Sequence, residues 1–511
     1  MILFMNCKMG CKSTYGLLLL FLMLLSLTCQ SCYGSEAFGF NILHRFSDPV
    51  NTIFNNDYGF PEKGTVDYYA AMAHRDRVFH GRRLAGEKAN DSTLTFASGN
   101  TTYHIAELGF LYYANVSVGT PESWFLVALD TGSHIFWLPC DCVPNCVTQL
   151  QFSSDEVLDF NIYSLRTSST GTQLPCSSPL CQNSLSCVSS EGRCPYGVHY
   201  LQANTSSSGY MVEDVLHLSM NSNSSARINA KIPFGCGVRQ TGSFLSNGAP
   251  NGLLGLTMDP ISLPSVLASQ NLTSNSYSMC FTGDGIGKII FGDRDSNEQG
   301  ETPLSTDDPL NLYNVSITQI SMGKNVSATN LTVIIDTGTS FTHLTDPAYS
   351  IISEKFDSQI NDRKLAVDPE NPFEFCYLTS SIIDDLNIPS INLTMGSGGI
   401  ITVIDPTIIF NTEDGRYVYC LAVLKSESGE HDINIIGENF LTGYRIVFDH
   451  ERMVFGWKEH DCGEVVPVSP RPPFFQPTVL GTPPPNRSGA PSALAHSYFL
   501  ICTILILILS V

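Results

Sequence analysis

"VALDTGSHIFW", from Val127 to Trp137, and "VIIDTGTSFTH", from Val333 to His343, are two versions of one phrase. In each, an apolar run of strand type meets an aspartate, Asp130 or Asp336, and then Thr-Gly followed by a hydroxyl residue. An aspartate that ends a buried strand is costly to ionise unless backbone N–H groups, hydroxyls or a neighbouring proton satisfy it. Thr-Gly supplies a tight turn together with amide and hydroxyl donors directed back at the carboxylate. One such loop is ordinary turn chemistry. Two of them at corresponding places need a common cause.

Outward from the aspartates the same order of signals repeats. "GLLGL" with Gly255 follows Asp130, and "IIGENF" with Gly437 follows Asp336, the first interval being the longer by a cysteine-rich stretch. A duplicated lobe with an insertion in its first copy accounts for this pattern. At 511 residues the chain also exceeds the roughly 250–300 residues at which one core stops growing. Between the motifs run short segments rich in Val, Ile, Phe and Tyr, punctuated by Gly, Pro and Asn, such as "KIPFGCG", "YNVSITQISMG" and "YRIVFDHERMVFGW". The expected fold class is therefore mainly β, with two related lobes. A twofold pairing of such lobes would bring Asp130 and Asp336 together across the seam. Carboxylates that close share one proton over a range of acidic pH, leaving one base and one acid.

The doubled "DTGS/DTGT" with its two later apolar-apolar-Gly motifs resembles the pepsin-like aspartic proteases, and within them the nepenthesin-like plant group with a cysteine-rich insertion in the first lobe. The resemblance spans about Tyr112 to Cys462 and implies a bilobal pepsin-like acid protease fold, with two β lobes flanking a cleft. It implies hydrolysis of peptide bonds by a water held between Asp130 and Asp336, with no cofactor and no metal, a polypeptide as substrate and a monomer as the working form. It also assigns supporting roles. Thr131 and Thr337 would tie the loops together crosswise, Ser133 and Thr339 would donate hydroxyls to the carboxylates, and Gly132 and Gly338 would offer N–H groups at the cleft floor. Trp137 would pack behind the flap or simply in the core. In "CPYGVHYLQANTSSSGYMVEDVLHL" Tyr200 stands at the flap position, but the usual glycines after it are missing, and Tyr196 or a merely structural tyrosine is the alternative. A second reading keeps the fold and drops the chemistry, since plant relatives on this fold bind and inhibit glycan hydrolases.

The ends of the chain read as addresses. Lys8 and Lys12 precede the apolar "YGLLLLFLMLLSL", with Gly34 and Ser35 as a place to cut, so residues 1–34 are expected to be a signal peptide, an uncleaved anchor being the alternative. Residues 35–96 include the basic "HRDRVFHGRRLAGEK" and read as a removable pro-segment or a spacer; Arg75, Arg77, Arg82 and Arg83 could lie against an acidic cleft. The N-terminal lobe is placed at 97–285 and the C-terminal lobe at 286–465. A Pro-rich stalk follows at 466–490 and a GPI-attachment signal at 491–511, with small residues at Ser488, Gly489 and Ala490 before an apolar tail too short to span comfortably. Attachment at Ser488 would tether the protein to the outer membrane leaflet, at the extracellular face. A tail-anchored helix is the alternative.

Seventeen cysteines fit that route. Outside the signal and tail lie Cys140, Cys142, Cys146, Cys176, Cys181, Cys187, Cys194, Cys236, Cys280, Cys376, Cys420 and Cys462, an even set expected to form disulfides. The first seven form an odd cluster, so at least one pairs elsewhere; a zinc knuckle is the rival reading, with irregular spacing against it. The resemblance pairs Cys376 with Cys420, and Cys236 is expected to join Cys462. Sequons at Asn90, Asn100, Asn115, Asn204, Asn223, Asn271, Asn314, Asn325, Asn330, Asn392 and Asn486 agree with secretion, although Asn115 falls in a strand-like run. A net charge of −21 repels phosphate backbones, which argues against nucleic acid as a partner.

Overall fold

The computed structural model describes residues 38–45, 47, 64–85, 95–98, 101–104 and 111–460, apart from loop residues 152–156, 182–186, 201–204, 221–226, 247, 282–284, 295–297, 306–311, 367–370, 380–385, 387, 413–414 and 427–432. The expected signal peptide, stalk and GPI signal, with Ser488, lie outside the described residues, as do Asn90, Asn100, Asn204, Asn223, Asn486 and Cys462. Among the described residues no helix is long and apolar enough to cross a membrane.

The mainly β expectation holds. Along the chain come strand β1 (Phe38–His44), helix α1 (Val66–Ala85), then β2 (Tyr112–Val118), β3 (Ser123–Asp130) and β4 (Trp137–Pro139). The hairpin of β5 (Pro195–Tyr200) and β6 (Thr205–Met220) leads to β7 (Arg227–Thr241), and β8 (Leu253–Gly255) follows. β9 (Ser276–Phe281) and β10 (Ile286–Phe291) form the next hairpin. The second half contributes β11 (Asn314–Met322), β12 (Asn325–Ile335), β13 (Thr342–Leu344), the two-residue β14 (Ile435–Ile436), and the final hairpin of β15 (Tyr444–Asp449) and β16 (Val454–Glu459).

The two halves are built alike and joined by shared strands. In the first, β8 runs parallel to β3 with Gly255 opposite Asp130; in the second, β14 runs parallel to β12 with Ile436 opposite Ile335. The join is made where β9 pairs on one side with β10 and on the other with β15, whose partner β16 closes the C-terminal end. β1 lies on the far side of β10, in register from Phe38 opposite Phe291 to Leu43 opposite Ile286. Its pattern puts Phe38 and Ile42 into the core beside Ile289 and Phe291. A segment expected to be a detachable pro-piece thus begins as an interior strand of the sheet. The expected lobe boundary at 285/286 falls in the β9–β10 hairpin, and the second-half sheet begins only with β11.

All seven clustered cysteines are disulfide-bonded. Cys142–Cys146, Cys176–Cys187 and Cys181–Cys194 close within the cluster, and Cys140 reaches out to Cys236. The expected Cys236–Cys462 pair is therefore wrong: β7 and β4 are parallel neighbours, which sets Cys140 5.0 Å from Cys236 between Cα atoms. In the chain-entropy account, closing that 96-residue separation is worth roughly 4–5 kcal/mol. Cys376–Cys420 forms as the resemblance implied, between residues directly opposite on neighbouring strands. Cys280 is also disulfide-bonded. Asn271, Asn325 and Asn330 are exposed, whereas Asn115, Asn314 and Asn392 are half-buried in strands.

Candidate active site

Each Asp-Thr-Gly phrase leaves its strand and turns back at once. Ser133 N–H reaches the Asp130 carbonyl at 3.4 Å, and Thr339 N–H reaches that of Asp336 at 3.3 Å. The turn aims donors at the carboxylate in the same way in both halves. Gly132 N–H donates to Asp130 Oδ1 at 2.8 Å, and Gly338 N–H to Asp336 Oδ1 at 2.8 Å. The Ser133 hydroxyl donates to Asp130 Oδ2, and the Thr339 hydroxyl to Asp336 Oδ2 at 2.9 Å. Hydrogen bonds to an ionised group are worth about 1.5–3 kcal/mol each, so each cradle offsets much of the desolvation cost of its aspartate.

The later glycines allow this packing. A Cβ on Gly255 would lie 2.5 Å from the Ser133 carbonyl oxygen, and one on Gly437 would lie 2.5 Å from the Phe341 backbone. With those approaches open, Leu256 N–H donates to the Asp130 carbonyl at 3.0 Å, and Glu438 N–H to the Thr339 carbonyl at 2.8 Å.

Comparison with known proteins agrees with this geometry. Residues 112–293 match the family described as xylanase inhibitor N-terminal, and residues 310–459 the one described as xylanase inhibitor C-terminal. Aspartyl protease family protein 1 of Arabidopsis thaliana is 48% identical over 94% of this chain and 90% of its own. The chain belongs to the pepsin-like aspartic proteases. Within that family, aspartic proteinase nepenthesin-2 of Nepenthes gracilis is 27% identical over 69% of this chain and 78% of its own. In fold it is similar to basic 7S globulin from soybean, at TM-score 0.53 and 22% identity over 69% of this chain and 94% of that one.

Other residues that the aspartic protease motifs single out fall unevenly. Thr131 and Thr337 are both buried, but neither is hydrogen-bonded to the opposite loop among the described residues; the Thr337 hydroxyl lies 3.9 Å from Met279 Sδ on β9. Trp137 is fully buried against Phe244, with ring centroids 4.8 Å apart, so it serves the core. Tyr200 ends β5 with its backbone paired to Thr205, and its side chain is outside the described residues. Tyr196, the alternative, is a core residue whose ring fills the space a Gly235 side chain would need. Beside the Asp130 loop, His134, Leu180, Pro195, Tyr196, Met211 and Ile261 border a small hollow.

The segment before the lobes reaches the second loop directly. From α1, Arg75 Nη1 donates to the Gly338 carbonyl at 2.5 Å and lies 3.0 Å from Asp76 Oδ1. Asp76 is wholly buried: its Oδ2 accepts the N–H groups of Ser340 and Phe341 at 2.9 and 3.0 Å, and its Oδ1 accepts the Ser340 hydroxyl at 3.1 Å. His343 Nε2 stands 3.9 Å from the same carboxylate. Arg45, just past β1, is buried nearby, and burial with the neighbouring Arg75 pushes its guanidinium down to about 10. Of the arginines expected against the cleft, Arg75 is there; the side chains of Arg77, Arg82 and Arg83 are outside the described residues. Glu438 accepts a hydrogen bond from the Tyr112 hydroxyl and lies 3.9 Å from His44.

Beneath the loops lies a buried histidine that the motif reading did not single out. His450 Nε2 is 2.9 Å from the Tyr313 hydroxyl and Nδ1 is 3.2 Å from Asn275 Oδ1. Burial pushes its imidazole down from 6.5 to about 4, against a smaller upward pull from Asp449. Asp449 is itself paired with Arg452, and Glu451 accepts the Asn275 N–H, so no other cation faces the ring in these contacts. Because the folded value is depressed, the unfolded chain takes up the proton first. Stability is complete above pH 6.5, declines as pH falls towards 4, and is then lower by about 3 kcal/mol. His450→Gln is expected to flatten that decline. Urea unfolding at pH 7 and pH 4 measures it, and an equal decline in both proteins would refute the assignment.

Proposed function

We propose that this chain is a secreted endopeptidase, tethered to the outer face of the plasma membrane by its C-terminal signal, that hydrolyses polypeptides at acidic pH. The observation that carries the reading is the matched pair of cradles: two carboxylates, each held by a glycine N–H and a hydroxyl at equivalent places. Asp130 and Asp336 would share one proton across the seam. The ionised member takes a proton from a bound water as that water attacks the peptide carbonyl, and the protonated member donates to the carbonyl oxygen and then to the leaving nitrogen. Nothing in these steps needs a metal or cofactor.

The contacts of α1 support storage as a zymogen. Arg75 bonded to the Gly338 carbonyl sets a cation on the Asp336 loop, and Asp76 fastens the helix to the residues that follow Asp336. The purified full chain, brought to acidic pH, is expected to cleave a denatured protein at roughly pH 3–5 and to be blocked by a statine-type mimic of the tetrahedral state. Absence of cleavage under those conditions would reject the reading.

The family descriptions favour one second reading, a binding protein that inhibits glycan hydrolases. Retention of both cradles speaks against it, because a fold without the chemistry has no need to desolvate two carboxylates. Xylanase inhibition without proteolysis would establish it.

A further inference from the structure

We infer that Tyr313, held by His450, is a strut that sets the spacing of the two catalytic loops, and that both are positioning residues for the aspartate pair. This rests on the peptidase reading above for its catalytic meaning, but the strut is a mechanical feature in its own right.

Tyr313 precedes β11 in the second half and is fully buried. Its backbone carbonyl accepts the N–H of Ile335 at 2.9 Å, and Ile335 is the residue before Asp336. Its hydroxyl donates to the carbonyl of Leu256, whose own N–H is bonded to the Asp130 carbonyl at 3.0 Å. One side chain therefore joins the strand end before one aspartate to the backbone of the other through three hydrogen bonds. Rotation of either lobe about the seam would stretch that line. The ring cannot yield sideways, since Phe448 packs on it at 4.2 Å and Tyr277 meets it edge-on at 6.4 Å. The single hydroxyl proton of Tyr277 is shared between the Tyr313 hydroxyl at 3.1 Å and the Leu256 carbonyl at 3.2 Å, so it braces both ends of that bond.

His450 fixes the remaining freedom, the direction of the Tyr313 hydroxyl. With the phenolic proton given to Leu256, the oxygen accepts, so Nε2 carries the hydrogen that is donated to it. Burial keeps both phenols protonated, so Tyr313 and Tyr277 remain donors at every pH at which the protein works. His450 is anchored in turn by its own N–H to the Asn275 carbonyl at 3.0 Å. In that tautomer Nδ1 has no hydrogen for Asn275 Oδ1, so the ring is held through Nε2 and its backbone, and removal of one member loosens the rest.

The test uses the full secreted chain, acid-activated, and reads hydrogen–deuterium exchange over residues 127–137 and 333–343 beside steady-state kinetics. Tyr313→Phe keeps the ring and loses the hydroxyl. It is expected to speed exchange in both loops and to lower kcat about tenfold or more, with KM within about twofold, because small misplacements of reacting groups are expensive. His450→Phe should do the same in part, and His450→Gln, whose side-chain amide can replace the Nε2–H donor, should recover most of the loss. If Tyr313→Phe does not fold, His450→Phe carries the same readings. Unchanged exchange and kcat overturn the strut, as does loosening confined to one loop. Loosening of both loops in Tyr313→Phe, where the wild-type chain itself cleaves nothing, upholds the strut and rejects the peptidase reading.

Discussion

Asp130→Asn is expected to reduce kcat by about 10⁴-fold while leaving the fold intact. The amide keeps one carbonyl acceptor for the Gly132 N–H, and the Ser133 hydroxyl can reverse to accept from the new NH₂, so both contacts of the cradle survive in altered form. What disappears is the ability to hold or release a proton. General acid–base groups contribute roughly 10²–10⁴, and loss of an aspartate in a catalytic constellation has costs at the upper end of that range. Asp336→Asn should match it, and the double variant should be little worse than either, since residues that act as one unit are not additive. Single-turnover cleavage of a peptide, with the melting temperature followed in parallel, measures both parts. Near-normal cleavage in either single variant would remove the dyad from the mechanism.

Much of this site was legible because its determinants are local. The turn donors to each carboxylate come from residues two and three positions along the chain, and the partner glycines repeat in the same order. Cysteine parity required an outside partner for the cluster, but could not name Cys236. That pairing follows from β4 lying parallel to β7, a relation between residues about a hundred apart. Non-local pairing hid other parts too. Nothing in "FGFNILH" tells that its neighbour is β10, nearly 250 residues on. Asp76 was masked by the arginines around it, which made the segment read as a basic strip; its acceptors' partners lie more than 260 residues away. Tyr313 and His450 carry no motif at all, and only the folded sheet brings them together.

Asp76→Ala in the full chain is expected to undock α1. The substitution leaves the Ser340 and Phe341 N–H groups and the Ser340 hydroxyl without their acceptor, and deprives the buried Arg75 of the carboxylate beside it. Breaking one side of a buried charge pair costs about 3–5 kcal/mol, more than the remaining packing of Tyr68 and Met72 on the second lobe offsets against the entropy of ordering the helix. Asp76→Asn retains one acceptor and should weaken docking less. Exchange over residues 66–85 reads the undocking, and cleavage of a peptide near pH 6 without prior acid treatment reads its consequence. A helix that only blocks the cleft predicts activity that rises as α1 loosens. One that braces the Asp336 loop predicts the reverse, because residues 340 and 341 lose the bonds that fix the exit of the turn. The Arg75 contact on the Gly338 carbonyl favours the rise, since it sets a guanidinium on the loop that carries Asp336. Activity that falls in step with the loosening would overturn the zymogen role and leave α1 as a permanent part of the enzyme.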